Sequence, residues 1–367
     1  MKKSRNLTEN ESLMSILASI VSIVIGLLFG FLLLLCLNPA KAAAGMGSLL
    51  TKGATDMGNV LYRSAPLIMV GLSVAFAYKV GLFNIGASGQ YTVGTFIALL
   101  LAIKFQMPWW VCLIGAAIGG AFWGIFPGLF KALFNVNEVL TSIMFNWIGM
   151  NLVNFLVVNI PVMLATAWGS TASDRTANLI DANPQAIVPH GGLDQLLHHP
   201  YVNISIFIAI LFAVIVWVVL QKTTFGYELK ACGLNRNSAE YAGINSKKNI
   251  ILSMVISGAM AGIGGGMFYL AGGGQYTVLQ VIEAAGFDGI TVALLANCHP
   301  IGSIFSAIFL SYLRLGGNAM QSQGFATEAT EIVTSVIVYL AAFALLMRMT
   351  LGKILTRRNH GKEEHAK

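Results

Sequence analysis

The feature that most constrains the fold is an apolar run that recurs along the chain at the length of a membrane-spanning helix. The first run, from Leu13 to Leu37, has 25 residues and no charge. A helix needs about 20 apolar residues to cross the hydrocarbon core of a bilayer. The apolar core of a secretory signal peptide is shorter, about 7–15 residues. We therefore interpret this run as a retained transmembrane helix and not as a cleaved leader.

The composition also indicates an integral membrane protein. Of the 367 residues, 56% are hydrophobic and only 10% are charged, with a mean hydropathy of +0.74. Soluble domains carry about 25% charged residues. The formal net charge of +7 is spread over loops and the C-terminal tail. We therefore interpret it as a charge bias that sets the orientation in the membrane, and not as a surface that binds nucleic acid. The four cysteines lie far apart, so we interpret them as small buried hydrophobes and not as disulfides or metal ligands.

Ten segments predict an all-α polytopic fold with about ten transmembrane helices. The predicted spans are 13–37, 60–78, 89–104, 109–131, 138–160, 201–221, 249–271, 286–298, 301–317 and 328–348. Polar residues and glycines interrupt the pattern at 79–90 and 272–300, and there we expect broken helices or half-helices.

The distribution of Lys and Arg predicts that both termini are cytoplasmic, because cytoplasmic loops carry an excess of these residues. With ten spans in this orientation, six of the 22 Lys and Arg residues lie outside, namely Lys41, Lys52, Arg63, Lys104, Arg175 and Arg314. The other sixteen lie inside. The predicted organisation is a cytoplasmic tail at 1–12, a transmembrane domain at 13–348 and a basic cytoplasmic tail at 349–367. The main outside loop is 161–200, and the main cytoplasmic loop is 222–248.

The outside loop carries three histidines, His190, His198 and His199. Their spacing does not follow a metal-ligand pattern, and acidic partners are sparse. We favour a docking or solvated loop over a metal site.

The chain shows no catalytic motif and no P-loop, so we expect it not to be an enzyme. A P-loop requires G-x-x-x-x-G-K-[ST], so that backbone amides hold the phosphates. The two Gly-Lys pairs, at 352–353 and 361–362, are followed by Ile354 and Glu363. If ATP drives the protein, another chain must hydrolyse it.

Residues 81–92, GLFNIGASGQYT, interrupt the apolar pattern with Asn84, Ser88 and Gln90. We interpret this stretch as a break between helices, in which Asn84 and Gln90 either satisfy each other's backbone or face the transport path. The tetrapeptide GQYT recurs at 274–277, which suggests the two-halved construction common in transporters.

Acidic residues adjoin two further spans. Glu138 is followed by Thr141 and Asn146, and Asp288 follows Phe287. An acidic side chain at the centre of a bilayer costs about 2.5–3.5 kcal/mol on insertion scales, so such residues face the protein interior or water. They either line a path that accepts hydrogen bonds from a hydroxylated solute, or lie at helix ends near the headgroups.

The cytoplasmic loop predicts two short helices. Asn235 is suited to an N-cap, and Gly233 and Gly243 are suited to helix stops. A short rigid helix outside the membrane is a good contact for a soluble partner. An ordinary topological loop is the alternative.

The pattern G-Y-E-L-K-A-C-G-x-N-x-x-S-A-E-Y-A-G-I, from Gly226 to Ile244, resembles the coupling segment of bacterial ABC transporter permeases of the ribose and branched-chain amino acid type. The usual form has Arg in place of Lys230 and Ala in place of Ser238. The stretch G-L-F-N-I-G-A-S-G-Q resembles the N-I-G-x-E-G-Q motif of the same family, with Ser88 where glutamate is common. Residues 135–149 and 286–317 look most like the nucleoside-uptake permeases of that family.

This resemblance implies the membrane subunit of an ATP-driven importer in the bacterial cytoplasmic membrane, with a nucleoside as substrate. It implies as partners a second, related permease, an ABC ATPase that uses ATP and Mg²⁺, and an extracellular substrate-binding lipoprotein. We expect no cofactor on this chain and no nucleic-acid partner. The alternatives are import of ribose or another simple sugar, and an ion-coupled carrier that works alone.

The resemblance also implies the functional residues. Those expected along the substrate path are Asn84, Ser88, Gln90, Glu138, Thr141, Asn146, Phe287 and Asp288. Those expected to couple to the ATPase are Gly226, Lys230, Ala231, Gly233, Asn235, Ala239, Ala242 and Gly243.

Overall fold

A computed structural model describes residues 11–343, and helices dominate this part of the chain. In chain order the helices are α1 (Glu11–Leu37), α2 (Pro39–Thr55), α3 (Met57–Tyr78), α4 (Ala87–Leu99), α5 (Trp109–Phe134), α6 (Glu138–Asn159), α7 (Leu179–Ala182) and α8 (Leu193–Leu197). They continue as α9 (Ser205–Lys222), α10 (Thr224–Leu234), α11 (Arg236–Tyr241), α12 (Ser246–Tyr269), α13 (Ala284–Leu295), α14 (Pro300–Met320) and α15 (Thr327–Ala342). A π-helical turn, Leu100–Lys104, extends α4.

The all-α prediction is confirmed, because the described residues contain no strand beyond two isolated bridges. Six helices in this part of the chain, α1, α3, α5, α6, α9 and α12, are long and apolar enough to cross a membrane. The other four predicted spans also contain helices, but these are shorter or less apolar, so the count of ten stays a prediction. The predicted tails, 1–12 and 349–367, lie outside the described residues except for the start of α1.

The chain divides into two compact units, and the boundary falls within α14. The first unit contains α1, α2, the end of α14 and α15. Glycines allow its helices to approach closely. A Cβ added at Gly26 of α1 would lie 2.8 Å from the carbonyl oxygen of Ile337 in α15. The ring of Tyr312 packs on Gly53 of α2, and its hydroxyl donates to the carbonyl of Leu50.

The second unit, residues 56–311, is built around α3 and α12. In α3, 17 of the 22 residues are buried, and in α12, 16 of the 24 are buried. Backbone contacts between glycines join α12 to α5. A Cβ at Gly262 would lie 2.2 Å from the carbonyl oxygen of Ala116, and one at Gly120 would lie 2.2 Å from that of Gly258. Since small residues let helices pack closely in a membrane, these positions determine how α5 and α12 cross.

The loop at 161–200 is folded against other elements of this second unit. Its Thr176 amide donates to the carbonyl of Tyr276 over 2.9 Å, so the second GQYT tetrapeptide lies in an extended segment. The first copy starts inside α4. The two copies thus differ in conformation and do not support the internal repeat. In the same loop, the ring of His199 stacks on Tyr62 with centroids 6.0 Å apart.

Candidate functional site

The break between α3 and α4 is held by a buried network of polar side chains. Asn84 and Gln90 are fully buried, and their carboxamides pair in both directions. Asn84 Nδ2 donates to Gln90 Oε1 over 2.8 Å, and Gln90 Nε2 donates to Asn84 Oδ1 over 3.2 Å. The two residues therefore satisfy each other through their side chains, whereas the sequence predicted that each would satisfy the other's backbone.

Two serines complete the network and connect the break to the central helices. Ser257 of α12 receives a 2.6 Å hydrogen bond from Asn84 Nδ2 and donates to the carbonyl of Ser73 in α3 over 2.7 Å. The two serine hydroxyls lie 2.9 Å apart. Sequence reasoning missed both residues, because a serine within an apolar run carries no signal of its own.

Asn146 of α6 caps α4 from a neighbouring helix. The N-cap position of α4 is Gly86, which has no side chain to accept the free amides of the first turn. Asn146 Oδ1 accepts from the amide of Gly89 over 2.8 Å, and its Nδ2 donates to the carbonyl of Ile85 over 3.0 Å. The residue is 1% exposed. In this conformation Asn146 therefore holds the break, and its role in the substrate path stays a prediction.

Ser88 lies beneath α13. A Cβ on Gly286 would lie 2.1 Å from Ser88 Oγ and 2.4 Å from its Cα, so the backbones of α4 and α13 are in close contact there. Within the described residues, the buried hydroxyls of Ser88 and Ser142 have no hydrogen-bond partner. Unpaired buried polar groups are uncommon in native structures. Both hydroxyls adjoin the break, since the Ser142 Oγ lies 3.2 Å from the position of a Cβ on Gly86.

The remaining predicted path residues lie on α6 and α13. Glu138 is the first residue of α6, and its carboxylate pairs with Lys131 Nζ at 2.9 Å. A carboxylate is favoured at a helix N-terminus by the helix dipole. Thr141 is buried and donates to the carbonyl of Asn137. On α13, Phe287 is 44% exposed and Asp288 is half-buried.

The loop at 222–248 forms the two predicted helices, α10 and α11. Asn235 is the N-cap of α11, with its Oδ1 accepting from the amide of Ser238 over 3.0 Å. Gly243 stops α11 with φ at +81°, and the amide of Ile244 returns to the carbonyl of Ala239. Both predictions are confirmed.

Gly233 does not stop a helix, so that prediction was wrong. It lies within α10, which ends at Leu234. A Cβ at Gly233 would lie 2.4 Å from the carbonyl oxygen of Lys79 and 3.0 Å from the amide of Gly81. The glycine is needed because α10 packs directly against the backbone of the turn that follows α3.

Both short helices are anchored to the start of α12. From α12, Asn249 Nδ2 donates to Glu228 Oε2 of α10 over 3.2 Å. Ser246 accepts from Arg236 Nε of α11 over 3.2 Å and donates to Glu240. The Ser246 hydroxyl, and with it the Arg236 guanidinium, holds the pKa of the Glu240 carboxyl below its ordinary value. The pair is therefore fixed to α12, while Tyr227, Leu234 and Tyr241 are exposed by 68%, 89% and 94%.

The architecture thus combines a buried break, a polar network around it and an exposed helix pair fixed to a central helix. Residues 57–342 match the family described as the permease component of the branched-chain amino acid transport system. The chain belongs to this family. This permease is the membrane subunit of an ABC transporter and a multi-pass protein of the cytoplasmic membrane.

Individual relatives match most of the chain. The guanosine ABC transporter permease protein NupP of Bacillus subtilis is 33% identical over 347 residues, covering 92% of this permease and 96% of the relative. The nucleoside ABC transporter permease protein NupB of Lactococcus lactis is 34% identical over 353 residues, covering 94% and 95%. The guanosine ABC transporter permease protein NupQ of Bacillus subtilis is 25% identical over 261 residues, covering 69% and 78%. No solved structure matches this permease.

Proposed function

We propose that this permease imports nucleosides as one of two permease subunits of an ATP-driven ABC importer. The observation that carries the proposal is its similarity over more than nine tenths of its length to two permeases whose names specify guanosine and nucleosides. The motifs at 81–90, 135–149, 226–244 and 286–317 support the same assignment. No cofactor is needed on this chain, since the partner ATPase uses ATP and Mg²⁺.

The ATPase docks on α10 and α11 in this proposal. Three large side chains, Tyr227, Leu234 and Tyr241, are exposed on this pair, and exposed apolar patches mark interaction sites. The proposed coupling residues lie on these helices, between them or in the turn after them: Gly226, Lys230, Ala231, Gly233, Asn235, Ala239, Ala242 and Gly243. Because the α10–α11 pair is anchored to α12, a movement of the pair is transmitted to the core of the permease.

The second permease is a different but related chain in this proposal. Bacillus subtilis has two guanosine permease proteins, NupP and NupQ, and both are similar to this permease. An extracellular binding lipoprotein delivers the solute to the loop at 161–200.

The substrate path lies between the two permeases, along α6 and α13. Phe287 offers an aromatic face for a base, since nucleobases stack on aromatic side chains. Asp288 and Glu138 accept hydrogen bonds from hydroxyl groups of the sugar. Asn84, Ser88, Gln90, Thr141 and Asn146 are buried in the present conformation and reach the path only when α4 moves.

The proposed topology has ten spans in a domain at 13–348, with both tails in the cytoplasm. It rests on the six long apolar helices and on the excess of Lys and Arg in the segments assigned to the inside.

Deletion of the gene for this permease tests the substrate. We expect the deletion strain to lose uptake of radiolabelled adenosine, cytidine and uridine and to gain resistance to toxic nucleoside analogues. Normal nucleoside uptake would contradict the proposal. If the strain lost ribose uptake and kept nucleoside uptake, the substrate would be a sugar. Uptake into proteoliposomes by this chain alone, without an ATPase, would indicate an ion-coupled carrier.

A further inference from the structure

The end of α4 that lies near the loop at 161–200 is irregular, and it leaves a backbone carbonyl to be satisfied. Helix α4 continues as the π-helical turn at 100–104. The amide of Met107 returns to the carbonyl of Leu101 over 3.0 Å, so the next carbonyl, that of Ala102, is not used by the helix. Ala102 is fully buried, and a buried carbonyl without a partner is costly.

Asn183, a residue of the outside loop, supplies the missing donor. Its Nδ2 donates to the carbonyl of Ala102 over 2.9 Å and to that of Met107 over 3.1 Å. Its Oδ1 accepts from the amide of Gln185 over 3.1 Å. Asn183 is 4% exposed. A single side chain therefore joins the loop, the end of α4 and the connection to α5.

The loop around Asn183 is itself fixed to the second unit. Ala186 and Val188 are fully buried, and the amide of Val188 donates to the carbonyl of Leu270, just beyond α12, over 2.9 Å. Asn183 thus belongs to an anchored segment and not to a solvated tip.

The opposite end of α4 is held by Asn146, so an asparagine from another element caps each end of this helix. The 18 residues from 87 to 104 span about 27 Å at 1.5 Å per residue, close to the hydrocarbon thickness of about 30 Å. Movement of one end of so short and buried a helix must appear at the other. There, Gln90 and Asn84 connect the break to Ser257 of α12.

We propose that Asn183 is a positioning residue that transmits the state of the outside loop to α4 and through it to the break. The inference rests on the proposed function, since the ligand of the loop is the solute-loaded binding protein. Docking of that protein shifts the segment around Asn183, α4 follows, and the Asn84–Gln90 network passes the shift to α12 and the ATPase.

The test compares two Asn-to-Asp substitutions in the complete transporter in lipid nanodiscs. N183D keeps the acceptor for the Gln185 amide and removes both donors. N178D is the matched control, because it lies in the same loop and keeps its one acceptor, for the amide of Ile180. The measured quantity is the ratio of ATP hydrolysis with the solute-loaded binding protein to basal hydrolysis.

We expect N183D to lower this ratio at least about five-fold, the lower end of typical coupling between sites, while basal hydrolysis and the N178D ratio stay at wild-type values. N183A, which adds no charge, should give the same loss. A general folding defect lowers basal and stimulated hydrolysis together and leaves the ratio unchanged. An unchanged ratio in both Asn183 variants overturns the inference.

A measurement on the wild-type transporter removes the dependence on folding of the variants. We expect the loaded binding protein to change amide hydrogen exchange at 100–107 and at 85–90. Stimulated hydrolysis without any change at these two segments overturns the inference and leaves the proposed function intact. Absence of stimulation in the wild-type complex contradicts the proposed function itself.

Discussion

At the residue scale, the site depends on pairs of polar groups that have no access to solvent. Asn84 and Gln90 pair with each other, and Ser257 joins them to α12. The net contribution of one hydrogen bond to stability is about 0.5–1.5 kcal/mol, whereas leaving a buried polar group unpaired costs about 1–3 kcal/mol. The network therefore favours the observed arrangement of the break, because separating these groups without new partners would leave them unpaired.

Replacing Asn84 with Ala tests this network. N84A leaves the Gln90 carboxamide without its partner and removes one hydrogen bond to Ser257, whose hydroxyl keeps its contacts with Ser73. We therefore expect a loss of about 1–3 kcal/mol and a lower thermal unfolding midpoint in detergent. Asn151→Ala is the matched control, since Asn151 is exposed and its Nδ2 donates only within α6, to the carbonyl of Trp147. Equal midpoints for the two variants would show that the network does not stabilise the permease.

Replacing Ser88 with Ala tests the unpaired hydroxyl. Because Ser88 Oγ is buried and has no partner among the described residues, we expect S88A to be as stable as the wild type or slightly more stable in the same assay. Nucleoside uptake by S88A then shows whether the Ser88 hydroxyl takes part in transport. A fall in uptake at unchanged stability would assign the hydroxyl to the transport cycle, and unchanged uptake would remove Ser88 from it.

At the element scale, glycines decide which helices touch. Gly286 brings α13 onto Ser88 of α4, and Gly233 brings α10 onto the turn after α3. These contacts are between backbones, so no side-chain rotation makes room for a Cβ. The elements that carry the candidate path and the coupling segment are thus positioned by residues that have no chemistry of their own.

Replacing Gly233 with Val tests the seating of α10. The added side chain would meet the carbonyl of Lys79 at 2.4 Å, so we expect α10 to move away while the long spans still insert. Binding-protein-stimulated ATP hydrolysis should be lost at normal membrane abundance. Gly47→Val is the control, because nothing lies within 4 Å of that position. Unchanged stimulation in G233V would exclude this contact from the mechanism.

At the scale of the whole molecule, the transporter requires a chain whose two sides perform different tasks. Within the second unit, Asn183 attaches the loop at 161–200 to the end of α4, and Asn249 of α12 attaches the α10–α11 pair. The proposed topology puts these two attachments on opposite sides of the membrane.

Cysteine labelling tests this topology. Leu196 in the loop is 72% exposed and Leu234 on α10 is 89% exposed, so L196C and L234C should leave packing unchanged. In a background with Cys36 replaced by Ala, a membrane-impermeant maleimide should label L196C in intact cells, and L234C only after permeabilisation. The buried Cys112, Cys232 and Cys298 provide the unlabelled background. Labelling of L234C in intact cells would show that the orientation is the opposite of the proposed one.

Local patterns predicted the features that depend on neighbouring residues. Apolar run length predicted the helices, and turn chemistry predicted Asn235 as an N-cap and Gly243 as a stop. The same reasoning was wrong about Gly233, because its function is contact with Lys79, more than 150 residues earlier in the chain. Ser73, Ser257 and Asn183 were missed for the same reason, since each acts on a partner that is distant in sequence.

The sequence by itself determined that this protein is an all-helical membrane permease of the ABC family, because hydropathy and short motifs are local properties. It also placed a break at 81–92, whereas the structure has the break at 79–86 because residues 87–92 form the first turns of α4, and it predicted the helix pair α10–α11. Only the tertiary structure decided that Asn84, Gln90 and Asn146 hold the break, that Ser88 is covered by α13, and that the two GQYT tetrapeptides differ in conformation. The physical reason is that a buried polar group takes the partner that packing brings to it, and that partner lies far away along the chain.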